Sequence, residues 1–151
     1  DVYEKHVDLL NEIGKTVIYL GEDGNGHKMK LAVNLFMSLT ANSFSEALAF
    51  AEKQGLDARS FVDTINKTPH SNYITKGKGP KILEGDYAAA FSLSNLIKDL
   101  GLVSEQIKRT GAVLPLTEVA IKEYSEAMKG GQGSKDFSVI AREIELKNGL
   151  R

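Results

Sequence analysis

The chain has 151 residues, 42% of them hydrophobic, and 19 basic residues against 20 acidic ones give a net charge of -1. That length suits one domain with a proper core, and the balanced charge gives no support for a nucleic-acid or membrane partner through bulk electrostatics. There is no cysteine, which excludes disulfides, thiolate catalysis and cysteine-ligated metals. His6, His27 and His70 lack metal-ligand spacing, so no metal site is expected. No signal peptide or membrane span is visible, which favours a cytoplasmic protein.

In chain order, Asp1 to Gly14 sets Val2, Leu9, Leu10 and Ile13 among charged residues and predicts a weakly amphipathic helix. Thr16 to Leu20 is β-branched and aromatic and reads as a short buried strand ended by Gly21. A lone strand leaves its backbone groups unsatisfied, so this segment is inconsistent with the rest of the chain taken by itself.

The stretch Gly21 to Gly55 opens in a glycine-rich turn and continues without proline, for about eight turns of helix. From Met29 to Leu39 apolar residues lie on nearly every side, the pattern of a buried helix. Lys30 and Asn34 are the polar exceptions near its start, and four-residue spacing puts both on one face. A cation in the first turn opposes the helix dipole. Burial, dipole and the neighbouring Lys28 would together favour the neutral amine, and such a lysine can give and take a proton near neutral pH. Asn34 would offer a donor and an acceptor beside it. The plain alternative is that Lys30 snorkels to the surface and Asn34 caps a neighbouring turn.

After the stop at Gly55, Asp57 caps a helix over about Ala58 to Lys67, with Phe61, Val62 and Ile65 on one face. Thr68 to Asn72 is a break, and a shorter helical stretch is expected from Tyr73. Lys76-Gly77-Lys78-Gly79-Pro80 is too rich in glycine for stable helix; it reads either as a solvated basic loop or as a contact for substrate or cofactor anions. Phe91 introduces a helix from about Ser92 to Thr110 with Leu93, Leu96, Leu100 and Val103 as its apolar stripe. Lys98 falls off that stripe and alone reads as a surface lysine. Thr117 is expected to cap a helix from about Glu118 to Lys129. Gly130 to Gly133 then forms a loop, and Asp136-Phe137-Ser138 leads into a last helix ending near Lys147.

The pattern Gly21-x-x-Gly24-x-Gly26-x-x-x-Lys30-x-x-x-Asn34 resembles the junction motif of the β-hydroxyacid dehydrogenases, which include 3-hydroxyisobutyrate and 6-phosphogluconate dehydrogenases. Gly24 to Asn34, Phe44 to Ala47 and Lys76 to Pro80 are nearest the glyoxylate/succinic semialdehyde reductase branch. The resemblance implies that Lys30 is the catalytic acid/base and that Asn34 contacts substrate. It also implies that Phe91 and Lys98 lie against a nicotinamide cofactor, NAD or NADP. Leu35 departs from the pattern, since many members carry a second asparagine there.

The expected fold is all-α, a helical bundle of the 6-phosphogluconate dehydrogenase C-terminal type around one long buried helix. The resemblance makes residues 1–22 the last helix and strand of a nucleotide-binding domain, and 23–151 a substrate and dimerisation domain. A complete Gly-x-Gly-x-x-Gly fingerprint is missing, since Met29 stands where the third glycine would be. The implied activity is hydride transfer to or from a small hydroxy acid or aldehyde acid, with this chain an inactive half. The alternative is a non-catalytic oligomerisation module of the same fold. Either way a homodimer or larger assembly is expected, with no nucleic acid or membrane as partner.

Overall fold

The computed structural model describes residues 2–150. Among them the regular structure is helical throughout. Its elements are α1 (Val2–Ile13), α2 (Asn25–Lys53), α3 (Ala58–Asn66), α4 (Gly79–Glu84), α5 (Leu93–Thr110), α6 (Pro115–Ala127) and α7 (Ile140–Lys147). Wider π-type turns occupy Ile74–Lys78 and Met128–Gln132, and a 3-10 turn Phe137–Val139 leads into α7. The all-α expectation holds. The chain divides into a unit ending at Lys30 and a unit beginning at Leu31.

In the first unit, α1 buries none of its residues. The expected strand at Thr16–Leu20 does not form. A strand exists only through a partner ladder, and no described segment offers one. Its apolar side chains stay largely outside, with Ile18 71% exposed. Tyr19 stacks on Tyr3 at 4.7 Å between ring centroids. Gly21 and Gly24, both at positive φ, turn the chain into α2, and the Asn25 side-chain amide donates to the Leu20 carbonyl at 3.0 Å.

The second unit is a packed core. Leu48 of α2, Leu93, Leu96 and Leu100 of α5, Tyr124 of α6 and Phe137, Val139 and Ile140 before and within α7 are among its fully enclosed members. The stripe predicted for α5 is the buried one, Val103 included. Ser92 caps α5 by accepting from the Asn95 N–H, and Gly111 ends it in the left-handed conformation. Asp57 caps α3 as expected, its carboxylate accepting from the Ser60 N–H at 2.8 Å.

Three expectations are corrected. The Met29–Leu39 run is not buried on all sides: the buried residues of α2 begin at Ser38, and Phe36 is 70% exposed. The five other helices of the second unit do not wrap α2 completely. The second correction concerns α6, which starts at Pro115, two residues before Thr117, and Thr117 is buried inside the helix. Proline suits a first turn because the missing N–H would have no partner there.

The third correction concerns Lys76–Pro80, which is helical. Asn72 starts the π turn, its side-chain oxygen accepting from the N–H of Ile74 at 2.8 Å and of Thr75 at 3.2 Å. Pro80 has no N–H to continue the ladder, and α4 restarts around it. Packing overrides the poor propensity of the glycines. A Cβ on Gly79 would stand 3.0 Å from Val62 Cγ1 and 3.4 Å from Phe44 Cζ, so glycine lets α4 close on α2 and α3.

Candidate functional site

Lys30, the expected acid/base, lies at the end of the first unit, and its side chain is exposed. The burial expected of it is not found. Lys28, one of the cations expected to crowd it, donates instead to Asn25 Oδ1 at 3.1 Å.

Asn34, in the second unit, is half-buried, and its Nδ2 donates to Asp99 Oδ2 at 2.7 Å. The carboxylate is acceptor-only when ionised, so this contact fixes which way the amide points. One of the two Asn34 N–H groups is thus committed within the chain, and the carbonyl oxygen faces the other way. Asp99 is 2% exposed although it is an acid on a surface-length helix. It follows Lys98 in α5, the Asp99 side chain on the buried face of the helix and Lys98 on the exposed one. Asp99 was not singled out from the sequence. A signal was present: it falls three residues after Leu96 and one before Leu100, on the buried face, where a charged residue is rare unless partnered.

Lys98 is exposed and makes no hydrogen bond or ion pair with another described residue. Phe91 is half-buried just before α5, its ring edge-on to Phe137 at 6.1 Å between centroids. A partly exposed ring and an uncommitted cation fit contacts to the flat ring and the phosphates of a nicotinamide dinucleotide.

Behind Phe91 lies an arrangement the sequence reading missed. Lys78, 4% exposed, forms an ion pair with Asp136, 2% exposed, at 2.7 Å. Asp136 Oδ2 also accepts from the N–H groups of Ala90 at 3.1 Å and Phe91 at 3.2 Å. Its Oδ1 accepts from the Ser138 N–H at 3.1 Å and from Ser138 Oγ at 2.7 Å. The Lys78 ammonium stands 5.1 Å from the Phe137 ring centroid. Lys78 is therefore neither a solvated loop residue nor free for an outside anion. The partners are 58 positions apart, and nothing local in either segment announces the pair.

Burial pushes the Asp136 carboxyl up, but the hydrogen bonds from Lys78, Ser138 and Phe91 outweigh it, and the net pKa lies below the ordinary 3.8. Burial, and after it the nearby Asp136 charge, holds the Tyr124 phenol well above its ordinary value. It remains a donor, giving its O–H to the Ser38 carbonyl of α2 at 2.9 Å.

Comparison with known proteins gives a consistent picture. The family described as NAD-binding of NADP-dependent 3-hydroxyisobutyrate dehydrogenase matches residues 24–144. Glyoxylate/succinic semialdehyde reductase 1 of Arabidopsis thaliana is 33% identical over 96% of this chain and 50% of its own length. The 2-(hydroxymethyl)glutarate dehydrogenase of Eubacterium barkeri is 31% identical over 99% of this chain and 50% of its own. A solved 3-hydroxyisobutyrate dehydrogenase of Mycobacterium tuberculosis superposes with a TM-score of 0.84 at 25% identity, covering 93% of this chain and 50% of the other. The chain thus spans about half the length of these relatives.

Acid titration tests the buried pair. Because the folded pKa of Asp136 is depressed, its stabilising contribution is present above the unfolded value and is lost as pH falls through the folded one. Asp57, Asp86 and Glu126 are also lowered, so the expected result is a difference. In urea unfolding between pH 6 and the onset of acid denaturation, Asp136→Asn should show a shallower loss of stability than the wild type. Parallel curves would mean that Asp136 is not held ionised by its neighbours.

Proposed function

The chain belongs to the 3-hydroxyisobutyrate dehydrogenase family, and from that premise we propose that it is the helical half of a nicotinamide-dependent hydroxyacid dehydrogenase or aldehyde reductase. Substrates of the class to which glyoxylate, succinic semialdehyde and 3-hydroxyisobutyrate belong fit the reading. In it, residues 1–22 are the end of a nucleotide-binding domain, and 23–151 form the helical domain.

The observation that carries the reading is the Asn34–Asp99 hydrogen bond. A buried acid on α5 orients a side chain whose sequence position is one helical turn after Lys30, and that acid adjoins Lys98. When bound, the nicotinamide supplies or accepts the hydride. The chain's own residues handle the proton and the placement of the substrate. Lys30 gives a proton to the substrate oxygen in reduction and takes it back in oxidation. Asn34, its amide oriented by Asp99, holds the substrate with its remaining polar capacity. Phe91 and Lys98 contact the cofactor, NAD or NADP, through a ring face and a positive charge.

Lys30 being exposed fits a half-site: the environment that tunes it comes from the partner domain. The isolated chain should then show no nicotinamide-dependent turnover. In an enzyme containing both halves, Lys30→Ala should lower the rate by about 10²–10⁴-fold, the range for a positioned acid/base. Steady-state kinetics decide between this and the second reading, a non-catalytic assembly module. A rate unchanged by Lys30→Ala would reject the assignment.

Assembly is proposed on separate grounds. In the second unit Phe36, Leu39, Leu116 and Val119 line an apolar groove of about 380 Å³ floored by Asn42 and Ala120, and Phe36, Leu116 and Val119 are each more than half exposed. A contiguous apolar face of this kind is covered most simply by a second copy across a two-fold axis. Sedimentation at micromolar concentration should give a species heavier than the 16.5 kDa chain. A concentration-independent monomer would contradict it.

A further inference from the structure

We propose that Lys78 and Asp136 are positioning residues for the cofactor contact: their buried pair fixes the turn 88–91 and, through it, the place of the Phe91 ring. The inference rests on the reading of Phe91 as a cofactor contact given above.

The side chains of the turn do little to hold it, and its other ties are backbone bonds to the segment 133–137. Ala88, Ala89 and Ala90 are exposed, and alanine side chains offer no polar anchor. Asp86 takes the Ala88 N–H at 3.0 Å, which starts the turn without fixing its end. The next two anchored N–H groups, of Ala90 and Phe91, both go to Asp136 Oδ2. The Phe91 carbonyl then accepts from the Phe137 N–H at 3.0 Å, and the Tyr87 carbonyl from the Asp136 N–H at 2.9 Å. The two segments are therefore laced together on both sides of the carboxylate.

Lys78 completes the arrangement from a third element. It neutralises Asp136 and stands between two rings, 5.1 Å from the centroid of Phe137 and 5.9 Å from that of Tyr73. Phe137 in turn is the ring against which Phe91 packs. The Lys78 ammonium thus acts on Phe91 through both the carboxylate and the aromatic contact. The turn that widens at Ile74–Lys78 is what carries Lys78 inward. Widened turns of this type are over-represented at functional sites.

Stability alone does not call for this pair. Replacing a buried ion pair by apolar side chains of similar volume is often neutral or favourable. An apolar pair would fill the same space but could not accept the N–H groups of Ala90 and Phe91, whose acceptor is Asp136 Oδ2. The consequence specific to the charges is the position of Phe91.

The test uses this chain with the double substitution Lys78→Met/Asp136→Leu, followed residue by residue in solution. Amide hydrogen exchange at Ala90 and Phe91 should speed up by about tenfold or more, the size expected for losing a hydrogen bond to a charged acceptor. Amides of Leu96 to Val103 should keep their protection. In an enzyme containing both halves, titrated with NADPH, the same substitutions should abolish the shift of the Phe91 amide or make it need about tenfold more ligand. Asp136→Asn, which keeps an acceptor but loses the charge, should give a smaller change of the same sign, and serves if the double variant does not fold. Unchanged exchange at Ala90 and Phe91 in a folded variant overturns the proposal. So does faster exchange with an unaltered NADPH response at Phe91. If the wild-type enzyme containing both halves shows no NADPH-dependent shift at Phe91 or Lys98, the cofactor reading fails, while the exchange data on this chain still decide whether the pair fixes the turn.

Discussion

The Lys78–Asp136 ion pair is the contact on which the arrangement of the helical unit turns. Taking two charges out of water is expensive, several kcal/mol for each ion even after relaxation. Asp136 offsets that by accepting from Lys78, from the backbone of Ala90, Phe91 and Ser138, and from the Ser138 hydroxyl. Each is a charge-assisted bond in a region of low dielectric, where such bonds count for more than in water. The result is that Ile74–Lys78, the turn before α5 and the entry to α7 are joined at one atom group. Loss of either charge alone would leave the other buried and unpaired.

The second constraint is the change of character along α2. Up to Met37 its residues are exposed or only half-buried; from Ser38 on it runs through the core. Two cross-links to other helices flank that change. Asn34 is tied to Asp99 of α5, and the Ser38 carbonyl accepts from Tyr124 of α6. The core end is thereby anchored, while the face bearing Phe36 is left open to whatever covers it. A helix serving both a core and an outer surface carries apolar residues on more sides than the core alone requires.

That dual use explains what could be read from the sequence and what could not. Periodicity located α3 and α5, because Phe61-Val62-Ile65 and Leu93-Leu96-Leu100-Val103 bury one stripe each. Asp57 was legible as a cap because its chemistry is local. The Met29–Leu39 run was misread because apolar composition does not say which surface, internal or external, it serves. The segment Thr16–Leu20 has strand propensity but no partner, and propensity in sheets is realised only through neighbours. Lys78 and Asp136 were invisible as a pair since the contact is long-range. Among the candidate site residues, Lys30 and Asn34 stood out as polar exceptions in an apolar helix, and their roles, with Phe91 and Lys98, came from a motif resemblance. Asp99 came only from the structure, although its place on a buried stripe marked it.

In the function proposed for it, the chain offers a proton-carrying amine, an amide oriented by Asp99, a ring and a cation, and a second domain would grip the dinucleotide. The central claim is that the amine of Lys30 moves a proton at the substrate oxygen. The most direct measurement is chemical rescue of Lys30→Ala, in an enzyme containing both halves, by added primary amines of graded basicity. If the account is right, the lost rate returns in proportion to amine concentration, with a Brønsted dependence on amine pKa. A variant whose rate is indifferent to every amine that fits the site, while small-molecule binding is retained, would contradict it.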